Sequence, residues 1–342
     1  MIAQKRLLYT YLAGFLMLIL ILDPETAFLS ASDGIMLCIN TVIPSLFPFL
    51  IISSLLTGLL SGQDYPIFRP LGKLLHLPRG TAFIPFIGFL GGYPVGAQCI
   101  AQAHKNGTIS YDQAKRMLAF CSNAGPAFLF GIGSRLFQQT WICFLLWLIH
   151  ILSALMVGIM TTHDQDQIVH NVVLDHTSIG TVVQNAIRTM AVICSWVLVF
   201  RILTAFILKW VHHFLPSDAT VLISGLLELT NGCTSLFNIS SPGMRYVLFS
   251  VMLAFGGICI AMQTNAVIFG SGLSIRTYLC GKITQAAISY LLCIITLPLL
   301  PSNMKLPPNP IFILLAVLIC IFYRKKQSKN EISYGKPFLS DI

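Results

Sequence analysis

A few polar side chains interrupt an otherwise apolar sequence, and their types are the ones that could do chemistry. Glu228, in "GLLELTNG", is the only acidic residue well inside a long apolar stretch. Placing such a charge at the centre of a bilayer costs about 2.5–3.5 kcal/mol on insertion scales. We therefore predict that Glu228 binds a substrate, a proton or an ion. The alternative is a structural acid that is neutralised by protonation or by backbone donors.

Amide and hydroxyl side chains form further candidates. Ser122 and Asn123 lie in "CSNAGP", and Gln263 and Asn265 lie in "MQTNA". Each amide carries both a donor and an acceptor, which suits a polar planar ligand. The alternative role is to satisfy backbone groups where a helix unwinds. Thr230 and Asn231, directly after Glu228, either cap a half-helix or contact ligand.

Arg201 is a candidate anion-binding residue within a predicted span. Its planar guanidinium can bind a carboxylate through two parallel hydrogen bonds. The side chain could equally extend to the outer surface, because Lys209 lies only two helical turns away.

The elements that must position these residues are membrane helices. The chain has 342 residues, of which 56% are hydrophobic and 10% are charged, whereas soluble domains carry about 25% charged residues. Apolar stretches of spanning length recur throughout, so we predict an all-α polytopic membrane protein in a lipid bilayer. The net charge of +9 is explained by basic cytoplasmic loops and gives no reason to expect nucleic acid.

Glycines and a proline interrupt one apolar stretch, "GFLGGYPVGA". The loops on both sides of 81–103 are basic and should both lie in the cytoplasm. The segment therefore enters and leaves by the same face, as a re-entrant helical hairpin. Its predicted tip consists of Gly91, Gly92, Tyr93, Pro94 and Gly96.

The same charge rule predicts a second hairpin at 219–238, entering from the outer face with its tip at 228–232. Both termini are then cytoplasmic. The predicted segments are a first transmembrane helix with an outer loop (1–33), a first repeat (34–160), a cytoplasmic loop (161–181), a second repeat (182–300), a last helix (301–323) and a basic tail (324–342).

The two predicted repeats share an order of elements. "MLAF" occurs at 117–120 and at 252–255, each time after a predicted hairpin and before small and polar residues that break the helix. Three full spans separate the starts of the two repeats, so their orientations are opposite. Inverted repeats with broken helices are typical of transporters, whose sites lie near the bilayer midplane. We expect the second break at 263–265.

The motifs "FIGFLGGYPVGAQ", "CSNAGPAFLFGIGS" and "GLLELTNG" resemble the sporulation integral membrane protein YlbJ family. That resemblance implies a nucleoside-recognition or Gate domain, similar to the core of concentrative nucleoside transporters. It also implies transport of dipicolinic acid towards the forespore, across the outer forespore membrane. One departure is the first hairpin tip, which has Tyr93 and Pro94 but no acid. This argues against a nucleoside substrate and a copied sodium site.

The preferred prediction is a carrier of a small polar or anionic solute that works by alternating access. A proton or a sodium ion is the possible coupling ion. The chain is also a possible homo-oligomer. The alternatives are an ion-coupled nucleoside carrier and a non-transporting assembly factor. No GxSxG or HExxH motif and no pair of membrane aspartates occurs, so no enzyme, cofactor or metal site is predicted.

Overall fold

The structure, a computed structural model, describes residues 2–61, 63–161, 178–211, 214–301 and 304. Within these residues every regular element is helical, as predicted. The elements of the first half are α1 (Ile2–Leu22), α2 (Pro24–Leu37), a π-helical turn (Cys38–Val42), α3 (Ile43–Leu60), a short 3₁₀ turn (Pro66–Phe68), α4 (Arg69–Leu74), α5 (Phe83–Gly91), α6 (Val95–Lys105), α7 (Tyr111–Leu118), α8 (Pro126–Phe137) and α9 (Thr140–Met160).

The second half begins with the longest helix. Its elements are α10 (Ile179–Val211), α11 (Ser217–Leu227), α12 (Leu229–Ser235), a 3₁₀ turn (Leu236–Asn238), α13 (Pro242–Phe255), α14 (Gly257–Val267), α15 (Ile275–Thr296) and a last 3₁₀ turn (Leu297–Leu299).

Five helical stretches in the described part of the chain are long and apolar enough to cross a bilayer. They are Pro24–Leu60, Thr140–Met160, Ile179–Val211, Pro242–Val267 and Ile275–Leu299. The prediction of an all-α polytopic membrane protein is thereby confirmed. The last helix and the tail, predicted at 301–323 and 324–342, lie outside the described residues apart from 301 and 304, and the loop at 161–181 is described only at its ends.

The outer loop predicted within 1–33 is replaced by helix. Asp23 caps α2 by accepting a hydrogen bond from the Thr26 N–H at 3.2 Å, and Pro24 occupies the first turn, where a proline costs no hydrogen bond. The Lys209 Nζ atom at the end of α10 lies 2.5 Å from Asp23 Oδ2. Packing of α2 against α10 therefore supports a segment whose mixed sequence resembled a loop.

The first predicted hairpin is present as α5 and α6. Gly92, between them, has φ of 79°, which lets the chain reverse without steric strain. Gly88 and Gly96 lie where the two helices cross: an added Cβ would meet the Cys121 carbonyl oxygen at 1.7 Å and 2.0 Å respectively. Only glycine permits so close an approach between this first hairpin and the chain that follows it.

The second predicted hairpin is present as α11 and α12. Gly225 and Gly232 face each other across it, and a Cβ on Gly232 would lie 2.1 Å from the Gly225 Cα atom. Glu228 occupies the tip. The two hairpins thus share one construction, with glycines at the crossing point. Their re-entry from opposite faces of the bilayer stays a prediction.

Each hairpin is followed by an interrupted helix, as the repeat predicts. The first break, residues 119–125, separates α7 from α8. The second break is not at Gln263 and Asn265, which lie inside or near the end of a continuous α14. It is at Gly256 and Gly257, with φ of 83° and 84°. Two successive left-handed glycines end α13, whereas the polar residues fit within a helix. The inverted orientation of the repeats stays a prediction.

Candidate functional site

A cavity lies where the two hairpin tips meet. It contains about 770 Å³ of empty space, part of which opens to the surface. Its walls come from the π-turn and the start of α3, from both hairpin tips, from the first break, from α10 and from α14. Both hairpin tips and the first helix break thus meet around this cavity, whereas Gly256 and Gly257 of the second break are not in its wall. The wall is mostly apolar, as in most ligand sites.

Glu228 lines the cavity and is only 3% exposed. Its Oε1 atom accepts a hydrogen bond from the Thr230 N–H at 2.9 Å, and its Oε2 atom accepts one from the Asn231 N–H at 2.7 Å. The carboxylate thus caps α12, which stabilises its negative charge. Backbone donors thus satisfy Glu228, which is the structural role considered as the alternative, and the side chain also borders the cavity.

Thr230 and Gln263 are the other predicted polar residues in the wall. Gln263 is carried by α14 one turn after Ile260, and its Nε2 atom lies 3.3 Å from the Cys259 Sγ atom. Asn231 contributes its backbone N–H to Glu228. These groups leave the cavity with an acid, a hydroxyl and an amide on the side formed by the second repeat.

The first hairpin tip closes the opposite side. Gly91, Gly92 and Tyr93 line the cavity, whereas Pro94, after a cis peptide bond, and Gly96 lead into α6. The Tyr93 hydroxyl donates a hydrogen bond to the Leu253 carbonyl oxygen at 3.0 Å. The tip of the first hairpin is therefore tied to the end of α13, just before the second break.

Ser122 and Asn123 lie behind the cavity wall, and both are fully buried. The Asn123 Nδ2 group donates to the Phe120 carbonyl oxygen at 2.6 Å. Its Oδ1 atom accepts from Lys282 Nζ at 3.1 Å and from Gln285 Nε2 at 3.0 Å. Asn123 thus satisfies unwound backbone and binds a lysine, the second of the two roles considered, rather than facing the cavity.

Lys282 is the residue that sequence reasoning missed. The charge rule counts Lys282 among the basic residues on the cytoplasmic side, but it lies two turns into α15 and is fully buried. A second hydrogen bond runs from Nζ to the Gln285 Oε1 atom at 2.6 Å. The signal was a polar stripe at helical spacing along α15: Tyr278, Lys282, Gln285 and Ser289 share one face.

His150 completes this buried polar cluster, which we call the polar junction: Asn123, His150, Lys282 and Gln285. The His150 Nε2 atom accepts a hydrogen bond from the Ala124 N–H at 3.1 Å. The Gln285 Nε2 group lies 3.3 Å from the His150 carbonyl oxygen. Three elements, α9, α15 and the first break, are held together here.

Arg201 and Asn265 are not brought to the cavity. Arg201 is half-buried on α10, and its Cγ atom would lie 3.5 Å from a Cβ added to Gly34 of α2. Asn265 is exposed. The predicted polar site thus divides into three groups: the cavity wall holds Glu228, Thr230 and Gln263, the polar junction holds Asn123, and neither holds Ser122, Asn231, Arg201 and Asn265.

The chain is similar to an integral membrane protein of sporulation. The chain is 24% identical over 322 aligned residues to the sporulation integral membrane protein YlbJ of Bacillus subtilis (strain 168), with 79% of this chain and 78% of that protein covered. No protein-family model matches the chain. No solved structure matches it significantly. The similarity confirms the resemblance to the YlbJ family that the hairpin and break motifs carry.

Proposed function

We propose that this membrane protein carries a small polar or anionic solute across the membrane of sporulating cells, and that the solute is dipicolinic acid. The supporting observation is the cavity enclosed by both hairpin tips, with Glu228, Thr230 and Gln263 in its wall. The similar protein is named for sporulation, and the dipicolinate assignment follows from the family resemblance.

The wall of the cavity suits such a solute, because it is mostly apolar and carries a few polar groups. A pyridine dicarboxylate is planar, so its ring can pack against the apolar wall while its polar groups meet Thr230 and Gln263. The solute would then bind between the two repeats.

Movement of the first hairpin is the proposed basis of alternating access. At Gly92 its tip meets the backbone of the first break: an added Cβ would lie 3.3 Å from the Gly125 backbone nitrogen. A contact without interlocking side chains allows the tip to slide along the break. The cavity would open to one face of the membrane and then to the other, with a proton or sodium ion at Glu228 as the coupling ion.

The proposed location is the outer forespore membrane, with both termini in the cytoplasm. This orientation follows from the distribution of basic residues in the predicted loops. Lys282 is buried in α15 and is therefore left out of the cytoplasmic basic residues. The other basic loops still place an excess of positive charge on the cytoplasmic side.

The test is uptake of labelled dipicolinate into vesicles that contain the purified protein. Saturable uptake by the wild type, lost in Glu228→Gln, supports the carrier. Glu25→Gln is the matched control, because Glu25 is an exposed acid in the first turn of another helix. Folded protein that takes up no dipicolinate under any ion gradient would exclude this function. The nucleoside carrier would then be tested with labelled nucleosides, and the assembly factor after it.

A further inference from the structure

We propose that Lys282 is the fixed positive charge with which the candidate site recognises a carboxylate-bearing solute, and that the Tyr93 ring separates this charge from the cavity. The inference rests on the proposed transport function. It replaces Arg201, the cation expected from the sequence, with a residue that lies directly behind the wall of the cavity.

Lys282 is buried without a counterion. Its side chain is fully buried, and the two ion pairs among the described residues, Arg69 with Asp64 and Lys209 with Asp23, do not include it. A buried charge without an opposite charge is costly. A bound anion would supply the compensating charge.

The surroundings of Nζ suit an ammonium group. Two oxygen atoms accept its protons, Oδ1 of Asn123 and Oε1 of Gln285. Two aromatic ring faces also lie nearby: Nζ is 5.0 Å from the Tyr93 centroid and 5.8 Å from the Tyr278 centroid. Aromatic faces attract cations. The orientation of Asn123 is fixed by its own bond to Phe120, so its oxygen must face the lysine.

Tyr93 belongs to both sites. It lines the cavity, and its ring also contacts Lys282. The hydroxyl is held by the Leu253 carbonyl oxygen at 3.0 Å. One aromatic ring thus stands between the ammonium and the cavity, and a shift of the first hairpin during transport would bring Lys282 to the solute.

The acid in the cavity wall does not compete for this cation. Both oxygens of Glu228 already accept backbone N–H groups of α12. The solute is therefore the available partner for Lys282. A dianion should bind better than an uncharged molecule of the same shape, because only the dianion gains a charge-assisted contact with the ammonium.

The probes are dipicolinate and its uncharged analogue pyridine-2,6-dicarboxamide, compared as competitors of labelled dipicolinate uptake into vesicles. We expect the wild type to prefer the dianion by about tenfold or more, as the loss of a charged hydrogen bond implies. The ratio of the two inhibition constants is the readout, since a merely structural residue would change both constants together.

Three variants accompany the wild type. Lys282→Gln keeps most of the length and the polarity but removes the charge, and should bring the ratio close to one. Lys282→Arg keeps the charge and should keep the preference. Arg276→Gln removes an exposed charge from the same helix and should leave the ratio unchanged.

Equal competition by the two compounds in the wild type would overturn the role of Lys282 and leave the carrier intact, and this comparison does not depend on the folding of any variant. An unchanged ratio in folded Lys282→Gln would overturn it as well. Folded wild-type protein without uptake would exclude the transport function and this inference together.

Discussion

The Nζ atom of Lys282 lies 3.1 Å from Oδ1 of Asn123, although the two residues are 159 positions apart. The bond joins α15, in the second predicted repeat, to the helix break of the first. Buried polar networks of this kind are strong when every member is satisfied and costly when one is removed. The polar junction lies behind the cavity wall, so a substitution there should lower the stability of the protein next to the candidate site.

Replacing Asn123 by alanine should destabilise the protein. The substitution removes an acceptor of a buried ammonium, and hydrogen bonds to charged groups contribute about 1.5–3 kcal/mol. We expect a clear fall in the midpoint of thermal unfolding of the detergent-solubilised protein. Asn265→Ala is the matched control, because Asn265 is exposed. Equal midpoints for the two variants would contradict the network.

Replacing Gly96 by alanine should prevent the first hairpin from packing against the first break. The new Cβ would lie 2.0 Å from the Cys121 carbonyl oxygen, a backbone atom that cannot turn aside. Overpacking typically costs about 1–3 kcal/mol and sometimes more, so the yield of folded protein and its unfolding midpoint should both fall. Gly58→Ala has open space within 4 Å and should leave both measurements unchanged.

Two substitutions of Glu228 separate its capping role from transport. Alanine removes both acceptors and should cost about 0.5–2 kcal/mol, the usual value of an N-cap. Glutamine keeps one carbonyl oxygen and should cost less. The measurement is the unfolding midpoint of each variant beside its uptake rate. If Glu228→Gln retains near-native stability and loses uptake, the carboxylate acts in transport; if uptake follows stability alone, it acts only as a cap.

The ion pair of Asp23 with Lys209 should make the contact between α2 and α10 sensitive to acid. The hydrogen bond from the Lys209 ammonium holds the pKa of Asp23 below its ordinary value of 3.8. A carboxyl with a lowered pKa stabilises the folded state above its ordinary pKa, and this contribution is lost as the pH falls through the lowered value. The unfolding midpoint, measured from pH 7 downwards, should therefore fall less steeply below pH 3.8 in Asp23→Asn. Superimposable curves for the variant and the wild type would contradict the pair.

Much of the architecture was determined by the sequence itself. Apolar length and sparse charge indicate membrane helices, because uncompensated backbone and charges are costly in lipid. Glycine and proline at 88–97 indicate the first hairpin tip, because few other residues allow so sharp a reversal. The distribution of basic residues indicates the second hairpin. These local signals do not depend on a distant partner, and each is present in the structure.

The tertiary structure alone decided which polar residues meet. Lys282 resembles a loop cation in the sequence, yet packing of α15 against α9 and α13 buries it beside Asn123. Gln263 and Asn265 resemble a break, yet the left-handed glycines 256 and 257 make it. Segment 24–33 resembles a loop until α10 provides a surface for it. The glycine pair at 256 and 257 is a local signal, but Lys282 and segment 24–33 take their environments from segments far away in the chain. The local sequence does not record which segments those are.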